Sequence, residues 1–170
     1  QLLREATSQR DPQVRAAAAS ALAQSGDSGS VDALIELADD RDDSVRTAAL
    51  YGLGQLGTDE AVSALVDAAR TGGGGSRQAA IQALAHSGDR RATATLAELI
   101  RGGDPEAATA AIYASYSGGR AIDRALVAAL SSESDQVRRA AASQLRSRGT
   151  QLGGAAARRI EEILGPAPGS

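Results

Sequence analysis

The side chains that most often carry enzyme chemistry are scarce in this sequence of 170 residues. It has no Cys and a single His, His86, which is followed by Ser87. One imidazole cannot form a His-based metal cluster, and a chain without Cys has no thiolate ligand and no disulfide. The glycine run at 72–75 lacks the Lys of a phosphate-binding loop. We therefore predict no catalytic residue, no metal, no cofactor and no small-molecule substrate.

Acidic side chains, in contrast, recur every 31 residues, at Glu5, Glu36, Asp67 and Glu98. Asp32 and Asp39 add negative charge beside the first members of this row. A functional row of this kind would attract a basic protein or peptide. We favour a solvated helix face as the explanation, because exposed like charges on neighbouring helices repel by only about a few tenths of a kcal/mol in screened water.

Arginine supplies every basic side chain, because the sequence has no Lys. One set of arginines follows the same period, at Arg15, Arg46, Arg77 and Arg138. This column predicts either an anion-binding stripe or, as we favour, an internal ladder. In such a ladder each guanidinium bonds to cap carboxylates or loop carbonyls.

A second set of arginines lies close to the end of the chain, at Arg138, Arg139, Arg146 and Arg148. Residues 1–85 carry a net charge of −5 and residues 86–170 a net charge of +2. Nucleic-acid or phosphate binding by this last repeat is therefore an alternative function. Acidic neighbours weaken its field, and no aromatic side chain is interleaved for base stacking. The overall net charge of −3 also makes nucleic acid an unfavoured partner.

Two of the three aromatic residues, Tyr51 and Tyr113, share one position of the repeat. Exposed Tyr is enriched at protein interfaces, so both are candidate partner-binding residues. A Tyr that covers a groove between repeats explains the pattern equally well.

The same period predicts the elements that carry these residues. Glycines recur every 31 residues at Gly26, Gly57, Gly88 and Gly119, and Gly149 follows 30 residues later. Before each Gly, apolar residues recur at helical spacing. Each Gly is expected to be a left-handed C-cap, and the Asp-Pro pair at 11–12 is typical of a helix start. The equivalent N-caps are Asp42 or Asp43, Asp104 and Asp135.

A second helix, from about Val31 to Ala38, follows a short turn, so each repeat is a pair of helices. The repeats run at about 11–41, 42–72, 73–103, 104–133 and 134–164, after a second helix of a truncated repeat at 1–10 and before a tail or linker at 165–170. We expect residues 1–164 to form a single domain. The chain begins in the middle of a repeat and has no Met, so we expect a piece of a longer protein. Without a long apolar run we expect a soluble protein, with the cytoplasm favoured.

Three segments resemble the HEAT family in its short, phycobilin-lyase-type variant: DPQVRAAAASALAQSGD (11–27), DSVRTAALYGLGQLGTDEAVSALV (43–66) and SDQVRRAAASQLRSRG (134–149). The resemblance implies an all-α fold, a right-handed α-solenoid of antiparallel helix pairs with about five and a half HEAT-like repeats. It also implies that the second helices line a concave side, which is usually the binding face.

Enzymes built on similar repeats match this sequence poorly. Deoxyhypusine hydroxylases hold two irons with His-Glu pairs, which the chain lacks. Alkylpurine DNA glycosylases need a basic, aromatic-lined groove. With no Cys and few aromatic residues to hold a tetrapyrrole, a phycobilin-lyase-like role remains only as an accessory subunit.

Two repeats depart from the pattern. In the fourth, Ser115 replaces the recurring Leu and Tyr116 a small residue, so we expect a local bend or repacking. In the third, Gly72–Gly75 replaces the acidic cap, which is worth about 1 kcal/mol. This run predicts either a hinge or, as we favour, a permissive surface loop.

With no catalytic constellation, the sequence predicts a protein–protein interaction scaffold. The expected partner is another protein, a peptide or another domain of the same protein. A basic partner on the acidic second-helix face is the more specific prediction.

Overall fold

The computed structural model describes residues 2–27, 29–116, 119–149 and 152–166, and these contain eleven α-helices and no strand. The helices are α1 (Leu2–Thr7), α2 (Pro12–Ser25), α3 (Ser30–Ala38), α4 (Asp43–Leu56), α5 (Asp59–Thr71), α6 (Gly74–Ser87), α7 (Arg90–Arg101), α8 (Pro105–Ala114), α9 (Gly119–Ala129), α10 (Asp135–Arg148) and α11 (Gly154–Leu164). The predicted all-α class is confirmed. Within the described ranges, no helix is both long and apolar enough to cross a membrane. The predicted tail lies outside the described residues from position 167 onward.

The helices follow the predicted repeats along the chain, with two helices in each repeat from α2 and α3 to α10 and α11. The chain divides into two compact units, residues 1–92 and 93–170. In the first unit, α2, α4 and α6 pack side by side, and α3 and α5 pack against them and against each other. In the second unit, α10 packs against α8, α9 and α11. That the repeats together form one domain stays a prediction.

Side-chain caps begin the first helices where the sequence predicts them. The carboxylates of Asp11, Asp42 and Asp104 each accept a hydrogen bond from a backbone N–H of the following first turn. These bonds satisfy amides that have no partner within the helix. The choice between Asp42 and Asp43 is thereby resolved in favour of Asp42.

The prediction that Asp135 is an N-cap is wrong. Ser134 is the cap of α10, and its Oγ accepts a hydrogen bond from the N–H of Val137 at 3.4 Å. Asp135 is instead the first helical residue, where its carboxylate pairs with Arg139 at 2.7 Å. This ion pair lowers the pKa of Asp135.

The recurring glycines end four of the first helices in the left-handed conformation, at Gly26, Gly57, Gly88 and Gly149. The prediction is wrong for Gly119, which has a positive φ but begins α9. The first helix of the same repeat, α8, ends at Ala114, before it reaches this glycine. It is 10 residues long, whereas α2 has 14. Ser115 is the C-cap of α8, and its hydroxyl donates to the carbonyl of Ala111 at 2.6 Å at the position where other repeats bury Leu. The local bend or repacking expected in the fourth repeat stays a prediction, and the structure shows its shortened first helix.

Arg15 connects the start of α2 to the loop that precedes this helix and to the loop that follows α3. Its Nη1 donates to the carbonyls of Gln9 and Arg10 at 2.9 and 3.0 Å. Its Nε and Nη2 each donate to a carboxylate oxygen of Asp40 at 2.7 Å. Arg15 is only 5% exposed. Its guanidinium lowers the pKa of Asp40 by hydrogen bonding to the charged carboxylate.

The other arginines of this column also turn back to the loop before their own helix. Arg46 and Arg77 donate to the carbonyls of Asp40 and Gly72, at 2.7 and 2.6 Å respectively. Arg138 does the same with two loop carbonyls at the start of α10. The column is therefore an internal ladder that satisfies loop carbonyls.

The glycine run is mostly the beginning of a helix. Only Gly72 and Gly73 lie between α5 and α6, and the next two glycines form the first turn of α6. A Cβ on Gly72 would clash with the carbonyl oxygen of Ala68, whereas a Cβ on Gly73 would meet nothing within 4 Å. The two loop glycines therefore differ in how strictly the backbone requires them.

We expect Gly72→Ala to lower the free energy of unfolding by about 1–3 kcal/mol, because the new methyl group must displace backbone. Gly73→Ala should change it by no more than about 0.5 kcal/mol, because the restriction of the unfolded chain by Ala is offset by its poorer fit to the N-cap position of α6. Urea unfolding followed by circular dichroism at 222 nm measures both. Equal effects of the two substitutions would contradict the described loop geometry.

We expect Asp40→Asn to lower Tm by several degrees at neutral pH, because Arg15 loses its charged partner. The folded-state pKa of Asp40 is depressed, so its charge stabilises the fold above the unfolded value of about 3.9. That contribution disappears as the pH falls through the folded value. The Tm difference between wild type and Asp40→Asn should therefore be constant above about pH 5 and shrink as the pH falls below it.

Asp39→Asn is the matched control, since Asp39 is exposed and its carboxylate has no hydrogen bond among the described residues. Its Tm should follow the wild-type value at every pH. A Tm difference between Asp40→Asn and wild type that stays constant below about pH 5 would overturn the assignment.

Candidate protein-interaction surface

The second helices of the first unit present the predicted acidic row to solvent. Glu5, Glu36 and Asp67 are exposed on α1, α3 and α5, and α3 packs against both of the other helices. The opposite sides of α3 and α5 are buried, with Leu34 and Leu65 at 0% exposure. An amphipathic helix with one buried side must place its polar residues outward. The row therefore follows from the packing of these helices.

An acidic groove of about 690 Å³ lies where α3 and α5 approach the start of α6. Two predicted site residues, Asp39 and Asp67, line it together with Asp43. Its apolar lining includes Ile35 and Leu50. We name this feature the acidic groove. It brings carboxylates from the ends of α3 and α5 and from the start of α4 into one concave site.

The three carboxylates of the acidic groove differ in their partners. Asp43 accepts hydrogen bonds from Arg46 Nη2 at 2.9 Å and from Ser76 Oγ at 3.1 Å. The side chains of Asp39 and Asp67 are exposed and make no hydrogen bond or ion pair to any described residue. Two carboxylates of the groove therefore keep uncompensated negative charge.

The glycine segment 72–75 forms one wall of the acidic groove. A Cβ on Gly75 would lie 2.8 Å from the Asp43 carboxylate, which places this carboxylate beside the uncapped first turn of α6. A negative charge at this position is favourable for the helix dipole. Asp43 thus partly replaces the cap that the third repeat lacks. The wall without side chains also leaves backbone accessible to a partner.

Asp43 and the glycine wall are groove-lining features that the sequence does not indicate as such. The sequence pattern indicates Asp43 as a helix cap and the glycines as a hinge or a surface loop. The available signal was their coincidence, because the repeat without its own acidic cap follows the repeat with two adjacent acids at 42–43. Neither position alone indicates that Asp43 lies beside the glycines of the next repeat in the groove.

The other acidic candidates do not line the groove. Asp32 is exposed in the first turn of α3, where its charge favours the helix N-terminus. Glu36 is exposed on the same helix, next to the lining residue Ile35. Glu98 is exposed on α7, in the second unit. A partner-binding role for each of them stays a prediction.

The two tyrosines lie on first helices. Tyr51 is 44% exposed on α4, and its Oη donates to Gln82 Oε1 of α6 at 2.6 Å. Tyr113 is 55% exposed on α8. Tyr51 therefore bridges two neighbouring first helices while it stays partly exposed to solvent. Neither residue lines the acidic groove.

The arginines proposed for anion binding are all hydrogen-bonded within the protein. Arg138 contacts loop carbonyls, and Arg139 pairs with Asp135. Arg146 donates to the carbonyl of Gly165 at 2.7 Å. Arg148 is bound more tightly, because its side chain is only 13% exposed and pairs with an aspartate of α9 at 2.7 Å. An anion would have to compete with these contacts.

The single imidazole lies on the surface near the end of α6. His86 Nδ1 is 2.7 Å from the carbonyl oxygen of Gln82 in the same helix. In the parts of the chain that the structure describes, no three His, Asp or Glu side chains are grouped to hold a metal ion. The geometry thus offers carboxylates and arginines for binding contacts.

Comparison with known proteins agrees with this architecture. The family model described as HEAT repeats matches residues 1–76. No curated protein matches the chain. Among solved structures, the complex of CpcE and CpcF of phycocyanin lyase from Nostoc sp. PCC7120 is similar with a TM-score of 0.61 and 23% identity, over 98% of this chain and 70% of that chain. An engineered protein has a TM-score of 0.50 and 20% identity, over 96% of this chain and 94% of that chain.

These likenesses establish the fold alone. Their sequence identities are too low to transfer a function. The repeat period, the helix pairs and the matched segment together confirm the predicted resemblance. The chain resembles HEAT-repeat proteins in its first 76 residues and shares the all-helical fold of these solved structures.

Proposed function

We propose that this chain is a non-catalytic scaffold whose first unit binds a basic segment of another protein in the acidic groove. The observation that carries the proposal is the pair of uncompensated carboxylates, Asp39 and Asp67, in one groove. A groove of about 690 Å³ is large enough to receive one or two Lys or Arg side chains. Their alkyl stems would contact the apolar lining while their charged ends reach the carboxylates.

Charge complementarity supports a basic partner over a neutral one. Residues 1–92 contain 9 Arg and 13 acidic residues, so the first unit has a net charge of −4. This field accelerates encounter with a basic chain and slows encounter with an acidic one. The exposed Glu5 and Glu36 extend the negative surface beyond the groove.

The non-catalytic assignment rests on the chemistry of the exposed groups. The groove offers three carboxylates, backbone and the guanidinium of Arg46, which is already paired with Asp43, and His86 Nδ1 contacts a carbonyl of its own helix. A general base must reach the proton it removes, and a nucleophile needs an adjacent base. The groove chemistry is suited to holding a partner.

An accessory role in a lyase-like enzyme is the second candidate. It is favoured by the likeness to a complex of two phycocyanin lyase proteins over 98% of this chain. In this role too the chain would act by binding another protein. The two candidates therefore differ in the identity of the partner and share the mechanism.

We expect the full chain to bind a fluorescein-labelled peptide of alternating Arg and Gly more tightly than the same peptide with Glu in place of Arg. Asp67→Arg should weaken binding of the Arg peptide by about tenfold or more, because it places a cation in the groove. Fluorescence anisotropy at low ionic strength measures the Kd, and added salt should weaken it.

Glu60→Arg is the matched control, since Glu60 is also exposed on α5 but lies two turns away and outside the groove. It changes the net charge equally and should alter Kd by no more than about twofold. Equal losses for the two variants, or equal affinity for the Arg and Glu peptides, would remove the support for a groove-specific site.

A further inference from the structure

The second unit has a different groove, of about 940 Å³, between α9 and the start of α11. Its lining is mainly apolar and includes Val127, Leu152 and Ala156. Val127 is 37% exposed, although it is a large apolar side chain. We name this feature the α9–α11 groove. Exposed apolar surface in a concave site is a feature of binding sites.

Two arginines flank the apolar part of the α9–α11 groove. Arg120 and Arg124 both line it, are exposed and make no hydrogen bond or ion pair to a described residue. They are four residues apart on α9, and Val127 follows three residues later. This spacing places all three side chains on one stripe of the helix. The stripe therefore combines two cations with an apolar end.

The acidic residue of this lining does not neutralise these arginines. The carboxylate of Asp123 is 2.7 Å from Arg148 Nη1, and the Arg148 side chain is largely buried. This pair is internal to the second unit. The positive charge of Arg120 and Arg124 is therefore available to a ligand.

The beginning of α11 reinforces the positive potential. Gly153 is its N-cap and provides no side-chain hydrogen bond. Arg158 lies near the first turn, with Nη1 3.6 Å from the Cβ position of Gly154. The helix dipole adds to these charges but does not define the site, which is formed by the arginines and the apolar lining.

We propose that the α9–α11 groove binds an acidic amphipathic peptide segment of a partner protein. Apolar side chains of the segment would pack on Val127 and Leu152, and its carboxylates would pair with Arg120 and Arg124. From Arg120 to Val127 the stripe is about 10 Å long, which matches two turns of a docked helix. The α9–α11 groove lies in the second unit and its free charge is positive, whereas the acidic groove lies in the first unit. This proposal therefore does not depend on the function proposed for the first unit.

The lining favours a peptide over nucleic acid. No aromatic side chain lines the groove, so bases would find no stacking platform there. Phosphates would pair with the arginines but would leave the apolar surface uncovered. An acidic segment with Leu or Ile satisfies both parts of the site.

The test uses the full chain and a fluorescein-labelled peptide of about twelve Leu and Glu residues, with Leu at every third or fourth position. A second peptide has Ser in place of Leu. We expect binding of the Leu-Glu peptide, a loss of about tenfold or more in Arg120→Glu/Arg124→Glu, and a loss of about threefold or more in Val127→Ser. The Ser-Glu peptide should bind at least about fivefold more weakly than the Leu-Glu peptide.

Arg101→Glu/Arg139→Glu is the matched control, because it changes the net charge equally and both residues are exposed arginines of the second unit outside this groove. It should change Kd by no more than about twofold. All variants are compared by circular dichroism, and Val127 is exposed enough that its replacement leaves the core intact. The labelled Arg-Gly peptide, which is proposed to bind the first unit, should have the same Kd for every variant as for wild type.

Three outcomes would overturn the proposal. The first is no binding of the Leu-Glu peptide below about 1 mM. The second is equal binding of the Ser-Glu peptide, which would show that charge alone acts. The third is tighter binding of single-stranded oligothymidylate that is lost in Arg120→Glu/Arg124→Glu while peptide binding is kept, which would assign the arginines to nucleic acid.

Discussion

The close approach of the first helices is the constraint on which the rest of the fold depends. A Cβ on Gly54 would lie 2.8 Å from the Cβ of Ala83, so α4 and α6 approach too closely for any larger side chain at this contact. Ala49 and Ala80 are both fully buried on the same two helices. Such contacts gain dispersion energy through close packing rather than through large buried areas. They explain how a chain with 2% aromatic residues fills a core.

A thin core has little capacity for unsatisfied polar groups, and the arginine ladder supplies the missing partners. The loops before each first helix leave carbonyls that no helix satisfies. Arg15 and Arg46 reach these carbonyls from the following first turn, and Asp40 accepts bonds from both of them, through its side chain and its carbonyl respectively. The apolar contacts and the ladder together use most interior positions. Binding chemistry is therefore confined to exposed side chains and to the grooves between helices.

The helix pairs could be predicted because their determinants are local and repeat. Asp11 and Gly26 set the ends of α2 by capping, and their equivalents act in the same way in later repeats. The early end of α8 coincides with Ser115, which marks the repeat as altered in the sequence without indicating where the helix stops. The candidate grooves could be predicted only in part. The period indicates Asp39 and Asp67, whereas the groove that Arg120 and Arg124 line depends on how α9 and the start of α11 are placed in three dimensions.

The fold does not require the negative charge of the acidic groove. A groove of about 460 Å³ in the second unit is lined by Arg101, Pro105 and Ala128. In the register of the repeat, these positions are equivalent to Asp39, Asp43 and Asp67. The same structural site thus carries three carboxylates in one repeat pair and none at these positions in another. Because the backbone pattern accommodates both sets, the charge of each groove is free to be set by what it binds, and this is the physical basis on which a repeat scaffold acquires different partners along one chain.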